Sequence, residues 1–300
     1  MNKKIIFSLG SNDKTARKVA RKYHAELGKV FYDHFADGEI LVKTASDVEN
    51  KDVIIIESTA VKAHEKLFEL MLLIDSIKRC SAASVKLYIP YFGYSRQERV
   101  SWINEPVSCE VVARILDTAK VDEILTFDVH HDDIKNFFKT KFTNLATTKL
   151  FKDYLLSYFE KKSISLDNVV VVSPDHGSNS RADKLVEQLQ GTQKVILNKY
   201  RPKPNLAEHL TVDGLKVKGK VCVIVDDIID TGGTIISATN LLLNNKAKAV
   251  LVLASHAVLS HNSESKLLES LISEIVVTNT IEKDLSRKIK VLDVSELIEL

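Results

Sequence analysis

The chain has only three cysteines, at positions 80, 109 and 222, odd in number and far apart. That pattern fits the reduced thiols of a cytosolic protein better than a disulfide framework or a zinc site. Long apolar runs are missing too. VIII at 53–56 and AVLVLA at 249–254 are strand-sized and far too short to cross a bilayer. Charged residues from Asp13 onward interrupt any signal-like apolar region behind MNKKIIFSLGSN. Net charge is nearly absent: 42 Lys and Arg against 40 Asp and Glu leave +2, so nothing general attracts nucleic acid or an anionic membrane. Any basic site must be local. Neither a low-complexity segment nor a Pro/Gly linker divides the chain, so a junction between domains must be tight. With 45% hydrophobic and 27% charged residues the composition is that of a folded globular protein. The expectation is a soluble, cytoplasmic chain.

What is present is a rhythm. Short β-rich apolar runs at 4–9, 52–58, 84–90, 123–129, 168–175, 194–199, 220–227, 248–254 and 274–280 read as buried strands. Amphipathic stretches at 13–27, 64–80, 106–119, 147–162, 178–190 and 233–246 read as helices between them. Strands buried on both faces and separated by helices predict an α/β fold of mostly parallel sheets flanked by helices. The rhythm restarts after the fourth strand, which predicts two domains, 1–145 and 146–300. Ligands of such sheets bind at the carboxyl ends of the strands. There the sequence places SRQER, HHDD, PDHGSNSR, NKYRPKP and DDIIDTGGT, far more polar and glycine-rich material than turns alone require.

The stretch VIVDDIIDTGGTI, 223–235, is the most informative. Gly232 and Gly233 allow a close backbone approach, and the helix that follows points unpaired N–H groups into the loop. Phosphate suits that cradle, with the hydroxyls of Thr231 and Thr234 as further donors. Asp226 and Asp227 would repel the phosphate unless they bind something else, either vicinal sugar hydroxyls or a divalent cation. A phosphorylated sugar satisfies both halves of the motif.

This stretch resembles the phosphoribosyl pyrophosphate loop shared by type I phosphoribosyltransferases and ribose-phosphate pyrophosphokinases. FADGEI (35–40), PYFGYSRQER (90–99), FDVHHDDIKNFF (127–138), VVSPDHGSNSRA (171–182), Lys199-Tyr200-Arg201 and VVTNT (276–280) resemble pyrophosphokinase segments in that family's order. The resemblance implies two tandem phosphoribosyltransferase-like domains. It also implies an enzyme that makes phosphoribosyl pyrophosphate and AMP from ATP and ribose 5-phosphate with Mg²⁺. By the same resemblance Phe35 stacks on adenine, Asp37 and Glu39 accept from its amine, and Gly38 forms the bend. Arg96, Gln97 and Arg99 contact ATP, and His130 lies near its phosphates and the magnesium, with which Asp175 is also associated. Asp230, Thr231, Gly232, Gly233 and Thr234 hold the 5-phosphate, Asp226 and Asp227 the ribose hydroxyls, and Lys199 and Arg201 stabilise the reacting phosphates from a mobile loop. A homodimer assembling into a larger ring, such as a hexamer, is implied as well.

His131, Asp132 and Asp133 read instead as a polar cap, because adjacent side chains on an extended segment diverge and cannot all reach one ion. GLKVKGKV at 214–221 mimics a nucleotide loop but lacks the Ser/Thr after Lys220 and precedes a strand, so it reads as a turn. Asn104, Asp133 and Asn136 depart from the family pattern, which commonly has Arg, Gln and Gly there. Two other readings are a phosphoribosyltransferase, which has no evident use for FADGE, SRQER and Lys199 together, and a non-catalytic regulatory homologue, which would have lost sets of residues that are intact here.

Overall fold

The computed structural model describes residues 3–175, 177–200 and 209–300, with the backbone alone at 199, 200, 209 and 210. They form two compact units. The first comprises residues up to Ala146 together with Thr280–Glu282 and Asp293–Leu300; the second comprises Thr147–Asn279 and Lys283–Leu292.

In the first unit the chain runs β1 (Lys4–Phe7), α1 (Asp13–Lys22), β2 (Glu26–Leu27), β3 (Val30–His34), β4 (Ile40–Thr44), β5 (Asp52–Ile56) and α2 (Ala63–Arg79). It continues through β6 (Ser84–Ile89), α3 (Ser108–Thr118), β7 (Glu123–Phe127), a 3-10 turn at Asp132–Phe137 and β8 (Phe142–Leu145). Six strands make one parallel sheet in the order β2-β1-β5-β6-β7-β8. β3 and β4 stand outside it as an antiparallel hairpin. Ile5, Phe7, Val53, Ile55, Val85, Leu87 and Ile124 pack on α2 and α3 from one face of the sheet. Ile6, Ile54, Ile56 and Tyr88 are buried on the other. There the C-terminal segment contributes Val294 and Ile298, and Tyr88 donates its hydroxyl to the Glu299 carbonyl.

The second unit holds α4 (Thr148–Lys161), β9 (Val169–Ser173), α5 (Asn179–Gln188), β10 (Gln193–Ile196), β11 (Asn198–Tyr200) and β12 (His209–Thr211). After these come the single turn α6 (Gly214–Val217), β13 (Val221–Ile229), α7 (Gly233–Asn244), β14 (Ala249–Ala257), α8 (Ser263–Glu269), β15 (Glu274–Thr278) and β16 (Ile289–Leu292). The order β10-β9-β13-β14-β15-β16 repeats the first sheet, again parallel throughout, and an antiparallel ribbon, β11–β12, again follows the second strand. Val170, Val172, Cys222 and Ile224 enter one apolar cluster, and Val169, Val171, Val221 and Val223 the opposite one. This is the period-two burial that keeps a doubly covered parallel strand apolar along its whole length.

Three boundaries differ from the periodic reading. The first helix ends at Lys22 rather than 27, because His24 turns into the left-handed region at φ +51° and residues 26–27 pair with β1. The 194–199 strand divides at buried Leu197 into β10 and β11, which pair with different partners. β13 runs on to Ile229, because β14 supplies partners as far as Ala257. The cysteines are all free, and burial pushes the thiols of Cys109 and Cys222 up to about 12, so both are inert. No helix among the described residues is long and apolar enough to cross a membrane.

Candidate functional site

The carboxyl edge of the second sheet concentrates the most unusual electrostatics. β13 carries Asp226 and Asp227 into the loop before α7, and the loop after β9 approaches them. Ser178 Oγ donates to Asp226 Oδ1 at 2.7 Å while its N–H donates to Asp175 Oδ1 at 2.9 Å. One serine therefore fixes two of the expected carboxylates. Asp227, 2% exposed, faces Arg181 Nη2 at 3.5 Å. Burial, and then the neighbouring Asp227 charge, push the Asp226 carboxyl up to about 7, against the lowering pull of Ser178. Asp226 is half-buried rather than sealed, so a ligand can reach it.

The loop after the acidic pair ends in a cradle. Gly232 has φ +77°, a conformation that strains any residue with a Cβ, and a Cβ there would sit 3.2 Å from the Leu267 side chain. Gly233 and Thr234 are exposed and open α7, while Ile235 anchors the first turn in the core. The N–H groups of these three residues have no acceptor within the helix, and Gly232 has no side chain to cap them. The edge thus offers convergent donors beside carboxylate acceptors. Behind the loop, Leu259 N donates to Ile229 O at 2.9 Å, and Lys283 donates to the Val258 carbonyl. Burial lowers the Lys283 pKa, and the carboxylates of Asp230 and Glu264 oppose that shift.

The first unit displays a different set. Phe35, Asp37, Gly38 and Glu39 form the turn of the β3–β4 hairpin. It is closed by Phe35 N to Glu39 O at 2.8 Å, Gly38 N to Phe35 O at 3.0 Å and Glu39 N to Asp37 Oδ1 at 3.0 Å. The Phe35 ring is 54% exposed and open to stacking. Arg96, Gln97 and Arg99 follow β6, all exposed; Gln97 is held by Ser108 Oγ at 2.7 Å, and Arg99 lies 3.7 Å from Glu98. His130 follows β7 and is half-buried. His131 Nδ1 accepts from Asp133 N at 3.3 Å, so these two residues cap the 3-10 turn as the sequence suggests. Asn104 adopts φ +66°, a left-handed position that asparagine tolerates, in a turn where Glu105 accepts from Ser101 N and Trp102 N. GLKVKGKV forms the single turn of α6 and a bend at Gly219 before β13.

Lys199 lies in β11, its backbone opposite Leu210, and Arg201 lies outside the described residues. Sequence reasoning missed two residues of the second edge. Ser178 carried a readable signal, a D-x-x-S step at a strand end before a helix. Arg181 carried none, because its partner Asp227 lies 46 residues away in the chain.

Comparison with known proteins finds relatives along nearly the whole chain. Residues 4–119 match the family described as the N-terminal domain of ribose phosphate pyrophosphokinase, and 197–299 match a phosphoribosyl synthetase-associated domain. The chain is 39% identical over 284 residues to the ribose-phosphate pyrophosphokinase of Bacillus caldolyticus, covering 95% of this chain and 88% of that protein. Its likeness to the enzyme of the same name from Halalkalibacterium halodurans is 40% over 296 residues, covering 98% and 91%. The structure of phosphoribosylpyrophosphate synthetase from Mycobacterium smegmatis superposes with a TM-score of 0.88 at 32% identity, over 98% of this chain and 96% of that one.

Proposed function

The chain belongs to the ribose-phosphate pyrophosphokinase family, and we propose that it transfers the β,γ-diphosphoryl group of ATP to the C1 hydroxyl of ribose 5-phosphate, giving phosphoribosyl pyrophosphate and AMP. The observation that carries this reading is the pairing, at one strand end, of an uncapped helix N-terminus with two adjacent carboxylates, Asp227 buried and Asp226 half-buried. Residues Asp230 to Thr234 receive the 5-phosphate, the first-turn N–H groups of α7 donating to its oxygens and Thr231 and Thr234 adding hydroxyls. Asp226 and Asp227 accept from the ribose hydroxyls. Burial and mutual repulsion make the charged form of Asp226 costly in the empty loop, and each sugar O–H brought to it lowers that cost.

In the first unit we assign adenine to the hairpin turn, with Phe35 stacking and Asp37 and Glu39 accepting from the exocyclic amine across the Gly38 bend. Arg96 and Arg99 suit phosphate because a guanidinium donates in a planar fork. Gln97 and His130 complete the nucleotide contacts. Lys199 and Arg201 are assigned to the charge that moves when the C1 oxygen attacks the β-phosphorus in line, a step governed by positioning and neutralisation.

Magnesium fits the donors on offer. Asp175 presents a hard carboxylate oxygen, and His130 is assigned to nucleotide phosphate. Mg²⁺ typically takes one or two protein carboxylates and completes its shell with substrate phosphates and water. When bound, the ion offsets ATP phosphate charge. On the family resemblance we also assign the protein to the cytoplasm as a homodimer that builds a larger ring.

The decisive experiment incubates the pure protein with Mg²⁺, ATP and ribose 5-phosphate. AMP that forms only when the sugar is present supports the assignment; sugar-independent AMP, or none, removes it.

A further inference from the structure

The hairpin that carries Phe35 is tied to the body of its unit by a line of charged side chains to which no role has yet been given. Tyr32, in β3, donates its hydroxyl to Glu69 Oε1 of α2 at 3.0 Å. The other Glu69 oxygen accepts from Lys66 Nζ at 2.9 Å, one turn earlier on the same helix. Lys66 also donates to the Leu9 carbonyl at 3.3 Å and lies 3.8 Å from Glu57 Oε1. Glu57, fully buried behind β5, accepts from Leu9 N at 2.8 Å, Ser11 N at 3.1 Å and Ser8 Oγ at 3.1 Å. The line therefore starts in the hairpin and ends on the loop that follows β1 at the carboxyl edge of the sheet.

The surroundings explain why these ties matter. Most residues of β3 and β4 are exposed; Val42 is buried in the core, and Val30 and Ile40 pack against it half-buried. A two-stranded hairpin is marginal by itself. Its pose depends on what attaches it: the apolar contact sets its distance from α2, and the hydrogen bonds Tyr32–Glu69 and Thr44 N to Ser76 Oγ at 3.1 Å fix its orientation there. A hydroxyl bonded to a buried carboxylate is worth more than a neutral bond. Lys66 is what keeps Glu69 and Glu57 from standing as uncompensated buried charges.

We propose that Tyr32, Glu69 and Lys66 are positioning residues for nucleotide binding, holding the β3–β4 turn in the pose that receives adenine. This rests on assigning adenine to that turn. The hairpin with the tie intact is the binding-competent state, and losing the tie lowers apparent affinity by the fraction of hairpins that leave the pose. None of the three is among the residues assigned to either substrate, and the turn they hold is assigned to adenine, so their effect falls on ATP affinity alone.

The test is steady-state kinetics on the assembled enzyme with both substrates varied, run beside amide hydrogen exchange. Tyr32→Phe removes one hydroxyl from a side chain 41% exposed, a change the fold tolerates. It is expected to raise KM for ATP about tenfold to a hundredfold, the range for losing one bond to a charged acceptor, to leave KM for ribose 5-phosphate in place, and to speed exchange across residues 30–44. Glu69→Gln keeps an acceptor and should raise KM for ATP less than Glu69→Leu does. Adding Tyr32→Phe to Glu69→Leu should raise it no further, since one interaction cannot be lost twice. An unchanged KM for ATP in Tyr32→Phe, or equal rises for both substrates, overturns the inference. Phe35→Ala separates the two layers. If it leaves KM for ATP alone, the adenine assignment fails and takes the inference with it; if it raises KM while Tyr32→Phe does not, the positioning role fails by itself.

Discussion

Phe7 pairs with Ile55 in the first sheet and Val172 with Ile224 in the second, so Glu57 and Asp226, each two residues further on, occupy matching places after matching strands. Both carboxylates accept from the loop that follows the first strand of their sheet: Glu57 from Leu9, Ser11 and Ser8, Asp226 from Ser178. Both carboxyl pKa values are raised chiefly by burial. The helix that follows opens in each case on a left-handed residue, Lys62 at φ +61° before α2 and Gly232 at φ +77° before α7. The two strand ends nevertheless do different work. Glu57 spends its acceptors on its own chain and is sealed, while Asp226 stands half-buried beside a second acid and in front of a side-chain-free turn. A repeated scaffold fixes where chemistry can occur; which side chains satisfy one another decides whether any ligand is needed there.

The ribbons that follow the second strand of each sheet give the sharpest test of that contrast. Lys199→Ala in β11–β12 should lower kcat by about a hundredfold to a thousandfold with the fold intact, the usual loss when a transition-state donor is removed. Phe35→Ala in β3–β4 should act on KM for ATP instead. A Lys199→Ala enzyme that turns over normally removes that residue from the chemistry.

Next in size is the pair of matched acids. Asp226→Asn should raise KM for ribose 5-phosphate about tenfold to a hundredfold, the range for one charged hydrogen bond, and leave ATP nearly untouched. Glu57→Gln should instead cost about 1–3 kcal/mol of stability by disturbing a sealed set of donors, with little change in either KM. If the two substitutions behave alike in either assay, the division between structural and functional acid is wrong.

The ligand-free protein should also respond to pH through Asp226. Its folded pKa lies above its ordinary value of 3.8, near 7, so between those values the native state binds more protons than the unfolded one. Stability contributed by the protonated carboxyl is present below about 4 and is lost as pH rises towards 7. Asp226→Asn should therefore raise the melting midpoint at pH 7.5 by about 2–4 °C, the response of a domain this size to roughly 1 kcal/mol. The gain should shrink at pH 4.5, and ribose 5-phosphate should stabilise the wild type preferentially. A midpoint difference that ignores pH would assign the shift elsewhere.

The smallest effects concern the two left-handed residues. Gly232→Ala should destabilise by about 1–2 kcal/mol through its φ and lower sugar affinity as the cradle shifts. Lys62→Gly, at the matching position, should relieve strain of up to about 1 kcal/mol without touching either substrate. Calorimetry of both variants reads the comparison directly.

Local chemistry explains which parts were legible beforehand. DDIIDTGGT announced its cradle because a glycine turn, hydroxyls and acids sit within nine residues of one another. The central strands were legible because burial on both faces keeps them apolar throughout. The β3–β4 hairpin was not, since its strands are mostly exposed and carry little two-residue alternation. Arg181 and Glu57 were equally silent, because each acquires its role from a partner dozens of residues away.

The order of its residues alone determined the α/β rhythm and which strand ends carry the glycine, hydroxyl and acidic side chains, since both depend on neighbours within a turn or a strand. Only the tertiary structure decided that the C-terminal segment returns to the first unit, that one sheet order is used twice, and that of two matching acids one is consumed and the other kept available. Those outcomes depend on which distant donors reach a buried carboxylate, and no local pattern records that.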